Sequence, residues 1–301
     1  MSVRMVVCNS SERFRVAVVV PVYKEYSKLT ANEILSLVQI KTVLAKRDLF
    51  FIYPQFVSIR EYLELFLPLK VTPVLIEDQY FGDYKRANKL GVSPDLYMHF
   101  TAYEYMLIHH IDAYVFSDQL DYWCSQGLDY IGAPWFAGNN RPSFPLRFTG
   151  VGNGGFSLRK IKSFLDISYN RSFVNLHIGL SQVYDFLEGE GHKMVRRFLF
   201  INSLMKIIEP LAGYEDEFWG LTVPKFHKSF KVARPEQAMK FSFEVMPREL
   251  FRLNNNELPF GCHAWEKYDP VFWESYIHAD FGMKLESDGD YDTLESNLNV
   301  G

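Results

Sequence analysis

The 301-residue sequence is poor in cysteine, contains no long apolar run and carries no large excess of either charge. Its three cysteines, Cys8, Cys124 and Cys262, are odd in number and lack paired spacing, so we expect a reducing compartment and no disulfide framework. The apolar run VAVVVPVY at 16–23 is too short for a signal peptide, and no run approaches the ~20 residues of a membrane-spanning helix. The net charge of -4 does not indicate the excess of basic residues that is typical of nucleic-acid-binding proteins. These absences predict a cytoplasmic protein that does not bind nucleic acid.

Familiar nucleotide-binding and catalytic signatures are also missing. Residues 151–159 read VGNGGFSLR, but no Gly-Lys-Ser/Thr closes this stretch into a P-loop, and it does not match the GxGxxG fingerprint. Serine hydrolase and protein kinase signatures are absent as well. The glycine-rich stretch is therefore either a tight turn that needs positive φ or the floor of a substrate pocket.

Aromatic residues are abundant, at 16% of the chain. Proteins that bind sugars often have this composition, because the faces of pyranose rings stack on aromatic rings. A large aromatic core gives the same composition, and the sequence leaves both interpretations open.

The first hundred residues predict alternating strands and helices. Three apolar runs, at 16–23, 49–55 and 72–78, are typical of strands. A capping-box pattern from Thr30 to Glu33 begins a helix between the first two. This order predicts a parallel, doubly wound sheet.

The remaining sequence predicts a mixed half. It contains a further apolar run at 104–116 and then short strand-like segments at 129–135, 147–160, 239–245 and 258–265. Helical patterns fill 160–190, and a closing helix is predicted at 271–282.

Three clusters of polar residues could carry chemistry. In the segment His110-Ile-Asp112, Asp112 lies at the end of the strand-like run 104–116. Its carboxylate either holds a divalent metal that binds a diphosphate or caps the next turn. The segment 214–220, Tyr-Glu-Asp-Glu-Phe-Trp-Gly, contains three acids. One of them either acts as a general base in a partly apolar pocket, or all three lie at a helix N-terminus, where the helix dipole favours negative charge. His263 lacks a second ligand at zinc spacing, and it gains a functional role only if it pairs with Asp112. A fourth, weaker cluster, Lys85, Arg86 and Lys89, either meets phosphates or forms a solvated helix face.

Five motifs in order resemble those of GT-A-fold glycosyltransferases, and in particular a group long described only as a domain of unknown function. They read IDAYVFSDQL, WCSQGLDYIGAPW, GNGGFSLR, EDEFW and HAW, and the match covers about residues 15–280. VVVPVYKE resembles the nucleotide-binding entry strand of that fold. HIDAYVF lies where the DxD motif is carried, and EDEFW resembles the motif that bears the catalytic base.

The resemblance implies an α/β fold, namely a GT-A-like (Rossmann-like) mixed sheet with helices on both faces. It implies one domain over 1–285, with a nucleotide-binding half at about 15–135 and an acceptor half at about 136–285. Residues 286–301 are expected to be a polar tail or linker, which suggests a longer natural chain.

The resemblance also assigns roles to individual residues. The implied donor site comprises Pro21, Tyr23, Glu25, Lys89, His110 and Asp112. The implied sugar pocket comprises Trp135, Asn153, Gly154, Gly155 and Trp219. Asp216 is the implied base, with Glu215 and Glu217 as alternatives. Asp112 and His263 are the implied ligands of Mn²⁺ or Mg²⁺, while His110 replaces the first acid of DxD and so leaves weak metal binding, or none, open.

The implied activity is inverting transfer of a hexose from a nucleotide sugar, with UDP as the expected nucleotide, to a saccharide acceptor. EDEFW resembles the base motif of β-1,3-galactosyl- and N-acetylglucosaminyl-transferases, which favours galactose and a β-1,3 linkage. The expected setting is bacterial O-antigen or capsule synthesis on a lipid-linked acceptor, with peripheral association at the inner membrane or fusion to a further transferase domain. The alternatives are an inactive carbohydrate-binding relative and a sugar nucleotidyltransferase, whose glycine-rich basic signature is missing from VPVYKEYSK.

Overall fold

A computed structural model describes residues 14–188 and 212–288 of the chain. Its centre is a six-stranded sheet, whose strands lie in the order β3 (Val71–Leu75), β2 (Asp48–Tyr53), β1 (Val16–Pro21), β4 (Tyr105–His109), β9 (Phe156–Lys160) and β6 (Tyr130–Ile131). Of the three cysteines, Cys8 lies outside the described residues, whereas Cys124 and Cys262 are buried free thiols. Most of the predicted polar tail, 289–301, also lies outside them.

The N-terminal half is the parallel part of this sheet, as its hydrophobic pattern predicts. Its strands are β1 (Val16–Pro21), β2 (Asp48–Tyr53), β3 (Val71–Leu75) and β4 (Tyr105–His109). The pairs β1–β2, β2–β3 and β1–β4 are all parallel. The helices between them are α1 (Ala31–Val43), α2 (Arg60–Phe66), α3 (Tyr84–Val92) and α4 (Pro94–Met98). The capping box that starts α1 is present, since Thr30 accepts from the N–H of Glu33 and the Glu33 carboxylate accepts from the N–H of Thr30.

The C-terminal half is less regular. Strand β9 (Phe156–Lys160) lies antiparallel to β4 and to the short β6 (Tyr130–Ile131). Strands β7 (Ala133–Phe136) and β8 (Phe148–Gly152) form a separate hairpin. A third sheet joins β5 (Ala113–Val115), β10 (Ser242–Phe243) and β11 (Gly261–His263).

The other helices surround these sheets. They are α5 (Leu120–Ser125), α6 (Ile161–Ser168), α7 (Arg171–Glu188), α8 (Glu215–Glu217), α9 (Val223–Phe226), α10 (Pro235–Phe241), α11 (Pro247–Leu253) and α12 (Pro270–Asp288). A π-helical turn, Phe218–Thr222, connects α8 to α9. None of the helices in the described ranges has both the length and the apolar composition that crossing a membrane requires.

Two sequence predictions need correction. The apolar run 104–116 is not one strand, because it turns at His110 and continues as β5 in a different sheet. In the predicted strand 239–245, residues 239–241 are the end of α10, and only the next two residues form β10. In both places an apolar run predicts burial but not the point at which the backbone turns.

The aromatic residues contribute mainly to the core. Four tryptophans, Trp123, Trp219, Trp265 and Trp273, are almost completely buried. Two large clusters cover the two faces of the central sheet, and a third packs around β10 and β11. This observation favours the core interpretation of the aromatic composition for these residues.

Candidate functional site

A cleft of about 670 Å³ opens where β1 and β4 end. This edge of the sheet is where open α/β folds bind ligands, because the turns that follow parallel strands meet there. Strand β9 runs in the opposite direction, so the glycine-rich turn before it reaches the same edge. The cleft is lined by seven of the residues predicted from sequence, namely Pro21, Tyr23, His110, Gly154, Glu215, Asp216 and His263.

One wall of the cleft holds a cluster of three possible metal ligands. His110, Asp112 and His263 each offer one ligand atom, and these atoms lie within 4.8 Å of one another. The fold explains how they meet. His110 and Asp112 lie in the turn between β4 and β5, and the antiparallel pairing of β5 with β11 sets His263 opposite Ala113.

Opposite charges hold the cluster together. The Nε2 atom of His263 lies 3.4 Å from the Asp112 carboxylate, and its Nδ1 atom lies 3.1 Å from Glu244. Burial opposes protonation of His263, but the two carboxylates raise its pKa to about 10. Burial likewise opposes ionisation of Asp112, yet His263 holds the pKa of that carboxyl well below its usual range. Burial lowers the pKa of His110 to about 4, so its imidazole is neutral at pH 7.

These residues fit a divalent cation. Asp112 Oδ1 is buried, and beyond its 3.4 Å ion pair with His263 Nε2 it has no hydrogen-bond partner among the described residues, so these two atoms are available as ligands to a common cation. Glu244 holds the other nitrogen of His263, in the way that carboxylates orient metal-binding imidazoles. Two imidazoles and one carboxylate suit Mn²⁺ better than Mg²⁺, which prefers oxygen ligands. His110 therefore joins the predicted ligands Asp112 and His263 as a third candidate.

The glycine pair of VGNGGFSLR provides room for side chains of the site. A Cβ atom on Gly155 would lie 2.0 Å from His263 Nε2, and one on Gly154 would lie 2.6 Å from Glu215 Oε1. In this turn the positive φ belongs to Asn153, at 141°, and not to either glycine. The Asn153 side chain accepts hydrogen bonds from the N–H groups of Gly155 and Phe156. The stretch is thus both a turn and part of the cleft wall.

The three acids of EDEFW have different surroundings. Glu215 is 8% exposed and accepts a hydrogen bond from buried Arg159 at 3.0 Å. Glu217 caps its own helix by accepting from the N–H of Tyr214. Within the described residues, the Asp216 carboxylate has only the N–H of Glu217 as a partner and lines the cleft. Burial, and then the nearby charges of Glu215 and Glu217, raise the pKa of Asp216 to about 8.

Other predicted site residues do not line the cleft. Glu25 accepts weakly from the N–H of Ser58. Lys89 is exposed and lines a smaller cavity of about 130 Å³. Trp219 is fully buried, and its indole N–H donates to the carbonyl of Gly91.

Two sugar-pocket candidates remain: Trp135 lies in β7 of the hairpin, and Asn153 lies in the turn before β9. A Cβ atom on Gly152 would lie 2.0 Å from the Trp135 ring, so this indole lies on the β7–β8 hairpin. Asn153 is 1% exposed, and its Nδ2 atom has no partner among the described residues.

Three residues of the site were missed by the sequence analysis. Arg159 ends the motif VGNGGFSLR, and a charged residue inside a buried strand was the signal that could have revealed it. Glu244 follows β10 and reaches His263, but no local pattern marks it. Lys267 lines the cleft four residues after His263.

Comparison with known proteins supports the fold and the family. The sequence model of a family described as "Protein of unknown function (DUF5672)" matches residues 70–263. No curated protein matches the chain.

Among solved structures, the galactosyltransferase LgtC in complex with donor and acceptor sugar analogs aligns with a TM-score of 0.52 at 10% identity, covering 89% of this chain and 95% of that one. The glycosyltransferase GlyE of Streptococcus pneumoniae TIGR4 aligns with a TM-score of 0.45 at 11% identity, covering 92% of this chain. Mouse xyloside xylosyltransferase 1 aligns with a TM-score of 0.45 at 9% identity, covering 83% of this chain and 97% of that one. The chain spans 63% of the GlyE chain. The predicted α/β fold, a GT-A-like mixed sheet with helices, is confirmed, and the assignment depends on the alignment with LgtC.

Proposed function

This chain belongs to the DUF5672 family, and we propose that it is a glycosyltransferase that moves a hexose from a nucleotide sugar to a saccharide hydroxyl. One observation carries the proposal. A single cleft contains both a His-Asp-His cluster and a carboxylate whose pKa is raised to about 8. Fold alone does not imply function, so the proposed activity depends on these groups.

In this proposal Asp216 is the general base. Its carboxylate accepts the proton of the acceptor hydroxyl as that oxygen forms a bond to the anomeric carbon of the donor sugar. The bond from the anomeric carbon to the phosphate oxygen breaks, and the nucleoside diphosphate leaves with the electron pair. The anomeric configuration inverts. A base with a pKa of about 8 suits this step, because catalysis is most efficient when the pKa lies near the working pH.

The two neighbouring acids, Glu215 and Glu217, have structural roles in this mechanism. Arg159 holds Glu215 through a buried ion pair, and Glu217 caps the helix on which all three acids lie. Together they fix the backbone that presents Asp216. Glu215 and Glu217 are therefore weaker candidates for the base than Asp216.

His110, Asp112 and His263 would hold the divalent cation. A bound cation neutralises the charge that develops on a leaving diphosphate. Glu244 keeps the imidazole of His263 in the orientation that binding requires. Lys267, an exposed cation that lines the cleft, is available to the phosphates as well.

We extend the proposal to a donor and a setting on narrower grounds. The likeness of EDEFW to the base motif of β-1,3-galactosyltransferases supports UDP-galactose and a β-1,3 linkage. The setting is bacterial surface polysaccharide synthesis on a lipid-linked acceptor, carried out in the cytoplasm at the inner face of the membrane.

The test is thermal-shift binding of a panel of nucleotides and nucleotide sugars, with and without Mn²⁺. A ligand that binds the native state at a hundredfold excess over its Kd adds about 2.7 kcal/mol of stability. We expect a Mn²⁺-dependent rise in melting temperature with UDP and UDP-galactose. Positive donors are then incubated with saccharide acceptors, and the anomer of the product is assigned by NMR. No shift with any nucleotide would refute the transferase, and a retained anomer would refute the role of Asp216.

A further inference from the structure

Tyr23, Tyr84 and Tyr214 are the exposed tyrosines among the residues that line the cleft, and the rings of Tyr84 and Tyr214 lie in contact with each other. Tyr84 is 56% exposed and Tyr214 is 47% exposed, and both line the cleft together with Asp216. The rings that follow Asp216 in sequence behave differently, since Phe218 and Trp219 are completely buried. Exposed apolar surface beside a cleft is surface that a ligand can remove from water.

The two exposed rings hold each other in place. Their centroids are 5.4 Å apart and their planes meet at 81°, which is the favourable edge-to-face arrangement. Each ring also stands at the beginning of a helix with a fixed backbone. Tyr84 follows Asp83, which caps α3, and the N–H of Tyr214 donates to the Glu217 carboxylate. The pair is therefore preorganised, and a ligand would not have to order it.

A polar group lies beside the pair. Asn88 is one helical turn after Tyr84 on α3, so both side chains lie on the same face of that helix, and both line the cleft. The side-chain oxygen of Asn88, Oδ1, accepts a hydrogen bond from the N–H of Glu215. The side-chain NH₂ group is therefore the part of Asn88 that can reach a ligand. Asn88 and Tyr214 also line the second cavity of about 130 Å³, so the surface continues past the cleft on this side.

A flat ring beside an amide donor suits a pyranose. One face of a pyranose carries only C–H groups and can stack on an aromatic ring, while its hydroxyls extend to the sides. The ring of Tyr214 stands two residues from Asp216, and the acceptor hydroxyl is the group that must reach the proposed base. The nucleotide is expected at the opposite wall, beside the metal-ligand cluster and the end of β1.

We infer that Tyr84 and Tyr214 form the platform on which the acceptor pyranose stacks, with Asn88 donating to one of its hydroxyls. The inference depends on the proposed function, because it names the acceptor subsite of that reaction. It assigns a neutral saccharide ring, and not the base of the nucleotide, to this pair of rings.

The experiment is saturation-transfer NMR with methyl β-D-galactopyranoside and methyl β-D-glucopyranoside, in the presence of UDP and Mn²⁺. Tyr84→Ala and Tyr214→Ala are compared with the double variant Tyr84→Phe/Tyr214→Phe, which keeps both rings. Tyr122→Ala is the matched control, since Tyr122 is 55% exposed and is not among the residues that line the cleft. Melting temperatures of all variants establish that they fold.

We expect each alanine variant to weaken glycoside binding about tenfold, and the phenylalanine and control variants to keep it. The UDP–Mn²⁺ thermal shift should be the same in every variant. Unchanged glycoside affinity in the alanine variants, or no saturation transfer to either glycoside with wild type, would overturn the inference. If the alanine variants lose the UDP–Mn²⁺ thermal shift while the phenylalanine and control variants keep it, the rings bind the nucleotide. That result would also overturn the inference.

The inference and the proposed function fail in different ways. If wild type binds UDP with Mn²⁺ but neither glycoside, the acceptor platform is refuted and the donor site stands. If wild type binds the glycosides through these rings but no nucleotide, the transferase is refuted and the rings remain a sugar-binding surface.

Discussion

The two halves of this chain divide stability and chemistry unequally. The parallel half, β1 to β4, buries strands such as Val16–Pro21 on both faces, and the ionisable groups that it offers to the site, such as Tyr84, His110 and Asp112, lie outside those strands. The mixed half, from β5 onwards, contributes Arg159, Asp216, Glu244 and His263 from short strands, turns and a three-residue helix. The regular strands thus provide the edge of the site, while its reactive groups come from the turn that follows β4 and from the irregular half. Substitutions in the two halves should accordingly affect different measurements.

The largest effect should come from Asp216→Asn. If Asp216 is the base, this change removes proton transfer and leaves the cleft otherwise intact, so kcat should fall about 10³-fold. The matched control is Glu217→Gln, which alters a neighbouring acid that caps the helix and should keep most of the activity. Turnover of a UDP-sugar with a positive acceptor measures both. Equal losses in the two variants would argue that the whole segment, and not one carboxylate, matters.

The next largest effect should come from Asp112→Asn, which removes the one carboxylate of the His-Asp-His cluster. We expect the Mn²⁺-dependent part of the UDP thermal shift to disappear and turnover to fall about a hundredfold. His99→Ala, in a helix-end residue outside the cluster, is the control. Retention of the metal-dependent shift in Asp112→Asn would exclude this cluster as the metal site.

A glycine of the mixed half should give an intermediate effect. Gly155→Ala would place a Cβ atom 2.0 Å from His263 Nε2, so the imidazole must move away from Asp112. Any shift of the imidazole or of the turn disturbs the pairing of His263 with Asp112, so we expect Mn²⁺ affinity to fall by 10- to 100-fold. Gly179→Ala is the matched control, because a Cβ atom there meets nothing within 4 Å. Titration of Mn²⁺ by calorimetry compares the two, and similar affinities would contradict the proposed importance of this close packing.

The sequence revealed the regular half more completely than the irregular one, for a physical reason. Burial on both sides of a parallel sheet imposes continuous apolar runs, so the strands around Val18 and Leu49 are visible in the sequence. Glu244 could not be found in this way, because its role depends on the pairing of β10 with β11, which is a tertiary contact. His110 was predicted as a donor-site residue that departs from the DxD pattern, and its place as a possible metal ligand emerges from the turn that brings it near His263. Asp216 was predicted as the base, and that role stays a prediction.

The raised pKa of Asp216 predicts that activity and stability change in opposite directions as the pH rises. Activity requires the ionised form, so kcat/KM should rise about tenfold per pH unit below pH 8 and then level off. Stability should change in the opposite direction. The folded-state pKa lies above that of the unfolded chain, so this contribution to stability is present at low pH and is lost as the pH rises through about 8. Asp216→Asn should therefore melt higher than wild type at pH 9 but not at pH 4, and a constant difference would contradict the shift.

The smallest effect on activity, with a clear effect on stability, is expected in the regular half. Arg47 follows α1 and binds both Asp118 and Asp121 through a nearly buried guanidinium, which ties this half to the segment after β5. Arg47→Met should lower the free energy of unfolding by about 1–2 kcal/mol, because the guanidinium bonds to Asp118 and Asp121 are lost while these carboxylates remain accessible to water. Arg60→Met is the control, since the Arg60–Glu64 pair is exposed and worth little. Both variants should keep the kcat of wild type below their melting temperatures. A large loss of kcat in Arg47→Met would show that the two halves do not separate stability from chemistry as the structure indicates.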